Sequence, residues 1–378
     1  MKKTLLLILS TLCLNPVFGS TQAESTPNNI VVFGDSLSDG FGNYDDNNNY
    51  FANDWWQQTP GVTPYNGIEI KAMTDGIPVT SSNTGERTGA LTWVNYLVNS
   101  KQVTSSDNLY NYLDAFKYHP EIDFSTANLN FAFAGSQTAD NYVDNYAPTH
   151  PPFTPIVKNK AILCNIPGVK HDYACLPGLL KQVKELYLTQ VDHINSNTKF
   201  IIFSGANDLV QEMEMAQGRY TESQIIQNIQ KPINNITTAI QLLHQHGASL
   251  KNIYVVRLFN LADTPSYSKN NHSISTNAIR MISGLFNDNL TYAVLKKGIP
   301  PKNIVYLDIL FHHTVSLTRE NNSYYSPEAE YSFNNIGNCV NDGKNPSCEN
   351  YIFFNSGHPS TNMHKAIANY MLEHNLSK

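Results

Sequence analysis

Charge is scarce in this sequence: only 15% of its 378 residues are Asp, Glu, Lys or Arg, and the formal net charge is −6. Basic residues form no cluster or stripe, which excludes the electrostatic footprint of a nucleic-acid partner. Beyond the N-terminus no apolar run is long enough to span a bilayer. None of the five cysteines forms a C-x-x-C pair, so a structural zinc site lacks its usual spacing. No internal repeat is visible, and no linker divides the chain.

What is present is a 41% apolar content, enough for a sizeable core, with abundant Asn, Tyr, Ser and Thr for a hydrogen-bonding surface. The start reads as an export signal: Met1-Lys2-Lys3, an apolar run from Thr4 to Phe18, then small residues. Cleavage is expected after Gly19 or Ala23, which makes 1–23 a signal peptide and the protein secreted, with periplasmic retention left open. Cys13 leaves with the signal. Cys164, Cys175, Cys339 and Cys348 remain, an even count that implies disulfides in an exported chain. Four cysteines permit three pairings; the sequence-local one, Cys164 with Cys175 and Cys339 with Cys348, is expected.

Residues 24–378 read as a single domain. Asn29–Phe33, Leu129–Phe133, Phe200–Ser204, Ile253–Leu258 and Ile304–Ile309 are largely apolar runs that read as buried strands of a covered parallel sheet. Between and after them, Thr92–Ser100, Gly178–Ile194, Ser223–His246, Ser275–Lys297 and Pro359–Leu372 carry helical patterns. In the last, Met363, Ala366, Ile367, Tyr370 and Met371 repeat at one-face spacing, and Pro359 suits a first helical turn. The alternation predicts an α/β sandwich with a mostly parallel sheet, whose ligands lie beyond the carboxyl ends of its strands. Two long inserts, near 43–70 and 141–175, interrupt the pattern; segments of that length are usually functional or disordered.

Four segments carry the chemistry. Gly34-Asp35-Ser36-Leu37-Ser38-Asp39 follows the first strand, so that Ser36 presents a hydroxyl at the ligand edge; alone, such a segment is an ordinary turn. Ala134-Gly135 ends the second strand, where a glycine N–H closely approaches a ligand. Gly205-Ala206-Asn207-Asp208 ends the third with a side-chain amide. Together the N–H groups of Ser36 and Gly135 and the Asn207 amide form a candidate oxyanion hole. Asn355-Ser356-Gly357-His358-Pro359 precedes the last helix, and His358 there is placed to act as a general base.

In this order the four segments resemble the blocks of the SGNH/GDSL hydrolase family, over essentially the whole mature chain. The G-D-S-L-S-D start, Tyr331-Ser332-Phe333-Asn334-Asn335 leading to Cys339, and Phe353-Phe354 are similar to the bacterial lysophospholipase A and glycerophospholipid:cholesterol acyltransferase branch. The resemblance implies a flavodoxin-like three-layer α/β/α sandwich and a Ser36 acyl-enzyme that needs no metal or cofactor. It also implies a lipid ester substrate, with acyl transfer to a sterol or other alcohol as an extension. In related acyltransferases nicking of a disulfide loop raises activity, so the resemblance offers the Cys164–Cys175 segment as a site for an activating protease, with a plain structural staple as the other reading. Two departures stand out. Gly40-Phe41 adds a residue before Gly42-Asn43, and Asn355 stands where the family places the Asp of its triad.

Competing readings remain for several residues. Asp208 orders the third block's turn. His364 lies beside the buried face of the last helix, and its six-residue spacing from His358 does not suit a metal pair. Trp55-Trp56 either touches a membrane surface or packs its own loop. Carbohydrate deacetylation is the alternative enzyme reading, and a secreted binding protein with impaired catalysis is the alternative of another class.

Overall fold

Continuous apolar runs become strands buried on both faces. A computed structural model of the chain describes residues 28–39, 92–106, 108–111, 121–133, 136–139, 177–216, 222–268, 274–339, 348, 350–354 and 356–376. The signal segment, both inserts, Trp55-Trp56, Cys164 and Cys175 lie outside these residues.

Six strands form the central sheet: β1 (Ile30–Gly34), β2 (Leu109–Asn111), β3 (Asn128–Asn130), β4 (Lys199–Phe203), β5 (Ile253–Val256) and β6 (Ile304–Val305). Their order is β2-β3-β1-β4-β5-β6 and every neighbouring pair is parallel. From β1 the chain first reaches the edge position of β2, comes back to insert β3 between β2 and β1, then crosses to lay β4 on the other side of β1. The boundary between β1 and β4 is therefore the topological switch point, where such sheets open a crevice beyond their carboxyl ends.

Helices cover both faces. α1 (Trp93–Asn99) packs with α8 (Thr361–Met371), and α8 with α7 (Leu307–Asn321). On the opposite face α4 (Glu222–Gln245) packs with α6 (Thr276–Lys296), α3 (Ala206–Ala216) and α2 (Leu179–Lys181). The short α5 (Pro265–Ser268) lies beside α6. This is the three-layer α/β/α sandwich. Phe33, Phe131, Tyr187 and Phe200 form an aromatic cluster with centroids 5.4–6.4 Å apart. Phe259, Phe311 and Phe353 form another, the closest pair at 4.3 Å. Each fully buried ring contributes roughly 1.5–3 kcal/mol relative to exposure.

The abundant asparagines have a structural use at the amino-terminal edge of the sheet. Asn29 Nδ2 donates to Ala127 O, Asn128 Nδ2 to Ser106 O and Asn108 O, and Asn303 Nδ2 to Lys251 O and Ile253 O. Asn375 Nδ2 donates to Lys302 O and Ile304 O. Backbone carbonyls that would be stranded at strand starts thus find donors.

Some expectations shift. The run Ile304–Ile309 is a strand only at Ile304–Val305, and Leu307 already begins α7. The helical spacing of buried Leu307, Leu310, Phe311, Thr314, Val315 and Thr318 explains why. Pro359 lies outside α8: it bridges Phe353, and Ser360 caps the helix by accepting from Met363 N at 3.2 Å. The helical pattern expected over Gly178–Ile194 ends at Tyr187, and Gln182–Tyr187 winds as a π-helix in which Leu188 N donates to Val183 O at 3.0 Å. Three short strands, β7 (Tyr324–Ser326), β8 (Tyr331–Phe333) and β9 (Asn335–Asn338), lead to β10 (Tyr351–Phe353), and β9 pairs with β10. The expected Cys339–Cys348 disulfide is formed, its Cα atoms 5.6 Å apart. It packs with Tyr351 and Phe354 in a small buried cluster beside the segment that carries His358.

Candidate active site

β1 delivers its chain into a turn held from several directions. Ser38 N and Asp39 N both donate to Asp35 O at 3.0 Å, and Leu37 N donates to Asp35 Oδ1 at 3.0 Å. The aspartate side chain thus makes an Asx-turn. Trp93 Nε1 of α1 donates to Leu37 O at 3.0 Å, and Asn130 Nδ2 of β3 donates to Ser38 O at 2.8 Å. Gly34 pairs in register with Phe203 of β4, and a Cβ there would collide with the Phe203 carbonyl oxygen. Only glycine permits this close approach. Asp35, Leu37, Ser38 and Asp39 are buried, while Ser36 alone in the turn keeps partial exposure.

His358 arrives from the far end of the chain. Phe354 N donates to His358 O at 2.9 Å, and Ser266 N donates to Ser356 O at 2.9 Å, which ties the loop to β10 and to α5. His358 Nε2 stands 2.7 Å from Ser36 Oγ. Burial pushes the His358 pKa down to about 4, so the ring is neutral near pH 7 and its Nε2 is able to accept a proton. Neighbouring His364, on α8, is buried and held lower still, at about 3, by desolvation and then by His358. It is an interior histidine.

The third described member sits across the switch point. β4 passes through Ser204 and Gly205, where φ is +115° and a Cβ would lie 2.8 Å from the Phe286 ring. Asn207 then falls in the first turn of α3, and its Nδ2 donates to Ser136 O at 2.8 Å. That bond uses one of the two amide hydrogens. Beside it, the buried Asp208 carboxylate accepts from Thr138 N at 3.0 Å and Thr138 Oγ1 at 2.8 Å. Through Thr138 the Asp208 side chain holds the 136–139 segment. Desolvation raises both Asp35 and Asp208 to about 7, against the lowering effect of these hydrogen bonds.

Of the expected site residues, Ser36 and His358 are in contact at the carboxyl edge of the sheet, and Asn207 follows the neighbouring strand β4 at that edge. Gly135 and Asn355 lie outside the described residues. Sequence reasoning missed Trp93, Asn130 and Gln182 as supports of the turn, since none carries a local signal. Among the described residues no group of three or more His, Cys, Asp or Glu is arranged to hold a metal ion.

A parallel α/β/α sandwich with a hydrogen-bonded Ser–His pair at its switch point is an arrangement that serine hydrolases use. The family model of the GDSL-like lipase/acylhydrolases matches residues 30–371, and the chain belongs to that family. A search of curated proteins returned no significant match.

Proposed function

We propose that this chain is a serine esterase acting on lipid acyl esters, with Ser36 as nucleophile and His358 as general base. The observation that carries the reading is the 2.7 Å contact between His358 Nε2 and Ser36 Oγ. As Ser36 Oγ bonds to the ester carbonyl carbon, its proton passes to His358 Nε2. The oxyanion accepts from the second amide hydrogen of Asn207 and the main-chain N–H of Ser36, with Gly135 N–H as the third donor by its place in the sequence. His358 then protonates the departing alcohol as its C–O bond breaks. Water resolves the acyl-enzyme by the reverse exchange, and an alcohol acceptor in its place makes the reaction an acyl transfer. Asn355 is the proposed orienter of His358, accepting at Oδ1 from ring Nδ1–H.

What supports a phospholipid or lysophospholipid substrate is the likeness of the Gly34–Asp39 and Tyr331–Cys339 segments to that branch of the family. Secretion rests on the N-terminal charge and apolar pattern, and contact with a membrane surface follows from the substrate class. The test is initial-rate measurement on p-nitrophenyl esters of rising chain length, then product analysis on phospholipid vesicles with and without a sterol. Release of fatty acid from long-chain lipid supports the reading. Turnover confined to acetyl esters overturns it in favour of carbohydrate deacetylation.

A further inference from the structure

We infer that Gln182 is a positioning residue for the nucleophile turn; this rests on the reading of Ser36 as nucleophile and deepens it. Gln182 is fully buried at the point where α2 passes into the π-helix. Its carboxamide reaches across 148 residues of sequence and closes on both polar groups of the Gly34 main chain. Gly34 N donates to Oε1 at 3.0 Å, and Nε2 donates to Gly34 O at 2.8 Å. The other Nε2 hydrogen faces Pro177 O at 2.9 Å, with Ser136 Oγ at 3.4 Å. Ser136 Oγ itself donates to Pro177 O at 2.8 Å.

One side chain therefore joins the parts of the site that must keep register. Gly34 opens the turn that carries Ser36. Ser136 belongs to the segment whose carbonyl holds the Asn207 amide. The first amides of α2 grip that same segment: Leu179 N donates to Gln137 O at 2.9 Å and Leu180 N to Thr138 O at 3.3 Å. Gly178 lies so close beneath it that a Cβ would strike Ala139 O. The π-helix fits this arrangement, since such turns are frequent at functional sites. Asn287 of α6 makes the same two-sided pairing with Leu258, donating to its carbonyl at 2.7 Å and accepting from its N–H at 3.0 Å, at the end of β5. At β5 the pairing terminates a strand; at β1 it also sets where the nucleophile stands.

The chemistry singles out an amide of this length. Leucine leaves Gly34 N and Gly34 O without side-chain partners, while Pro177 O keeps only Ser136 Oγ. An ionised glutamate still accepts from Gly34 N but turns its second oxygen toward two carbonyls, whereas a protonated glutamate donates there again. Gln182→Glu is therefore a conservative variant that rescues in acid and fails as it ionises, with burial raising its pKa.

The experiment measures kcat and KM of Gln182→Leu and Gln182→Glu on a soluble ester, with circular dichroism at each pH to normalise for folded protein. A displaced nucleophile predicts a fall in kcat of ~10- to 100-fold for Gln182→Leu with KM little changed. It also predicts that the Gln182→Glu to wild-type kcat ratio falls as pH rises from about 5 to about 8. If Gln182→Leu does not fold, that ratio decides alone. A wild-type kcat per folded molecule in Gln182→Leu, or a ratio flat across pH, overturns the inference. Failure of the wild-type enzyme to form a Ser36 adduct with a fluorophosphonate would instead overturn the nucleophile reading, so the two failures are distinguishable.

Discussion

Ser36 and His358 are separated by 322 residues of sequence and by 2.7 Å in space. The turn after β1 and the loop before α8 meet because β1 and α8 belong to one sandwich, and both lie at the carboxyl edge of the sheet. Burial holds the histidine neutral, which keeps its Nε2 available as a base.

That burial sets the acid limb of activity. A base works only when unprotonated, and the His358 pKa lies at about 4 instead of its ordinary 6.5. Hydrolysis on a neutral ester should hold its rate as pH falls below 6.5 and be halved only near pH 4. Initial rates across that range, with folding followed by circular dichroism, provide the check. A limb centred at or above the ordinary histidine value would contradict the burial argument.

Stability carries two opposing pH dependences. Asp35 and Asp208 are raised from 3.8 to about 7. Their contribution is fully present below the unfolded pKa and is lost as pH rises through the folded one. His358 and His364 are depressed, so they destabilise the fold as pH falls from 6.5 through their folded values. The windows overlap, and a wild-type profile alone mixes them. Asp208→Asn removes one carboxyl, and its thermal midpoint should lose less than that of the wild type as pH rises from about 4 to about 7. Parallel profiles for the two proteins would exclude Asp208 as the source.

Asn355 is the proposed orienter of His358. An amide fixes the ring through one hydrogen bond but supplies no negative charge to the imidazolium. Asn355→Ala should lower kcat substantially, yet less than Ser36→Ala, and Asn355→Asp should stay active. Wild-type kcat in Asn355→Ala would place the orienter elsewhere.

The Cys339–Cys348 bridge spans nine positions, and closing a loop that short is worth roughly 2–3 kcal/mol. Cys339→Ala with Cys348→Ala should lower the thermal midpoint, and the loss should be reproduced in wild type by a reductant. An unchanged midpoint in both would show that the packing of Tyr351 and Phe354 suffices without the bond.

Much of this arrangement was legible in the residues. β1, β5 and β4 from Phe200 on are buried on both faces, so their sequences are apolar runs; Ser36 and Asn207 follow strands that could be placed, and His358 precedes a helix that could be placed. The edge strand β2 was not legible, because Leu109-Tyr110-Asn111 is too short for any period to show. α7 was hidden for a different reason: Ile304–Leu307 is continuous and apolar across a strand end and a helix start, and only the later spacing from Leu310 to Thr318 tells them apart. Gln182 gave no signal at all. A glutamine inside an amphipathic stretch looks like a solvated position until the tertiary fold brings Gly34 against it.

The central claim is that Ser36 Oγ attacks the acyl carbon with His358 as its base. Its most direct test is labelling of the purified protein with a fluorophosphonate, with the adduct mapped by peptide mass spectrometry. The account predicts one phosphonyl adduct, on Ser36, absent from Ser36→Ala and formed far more slowly in His358→Ala while both variants stay folded. An adduct on another residue, or none on folded wild-type protein, would contradict it.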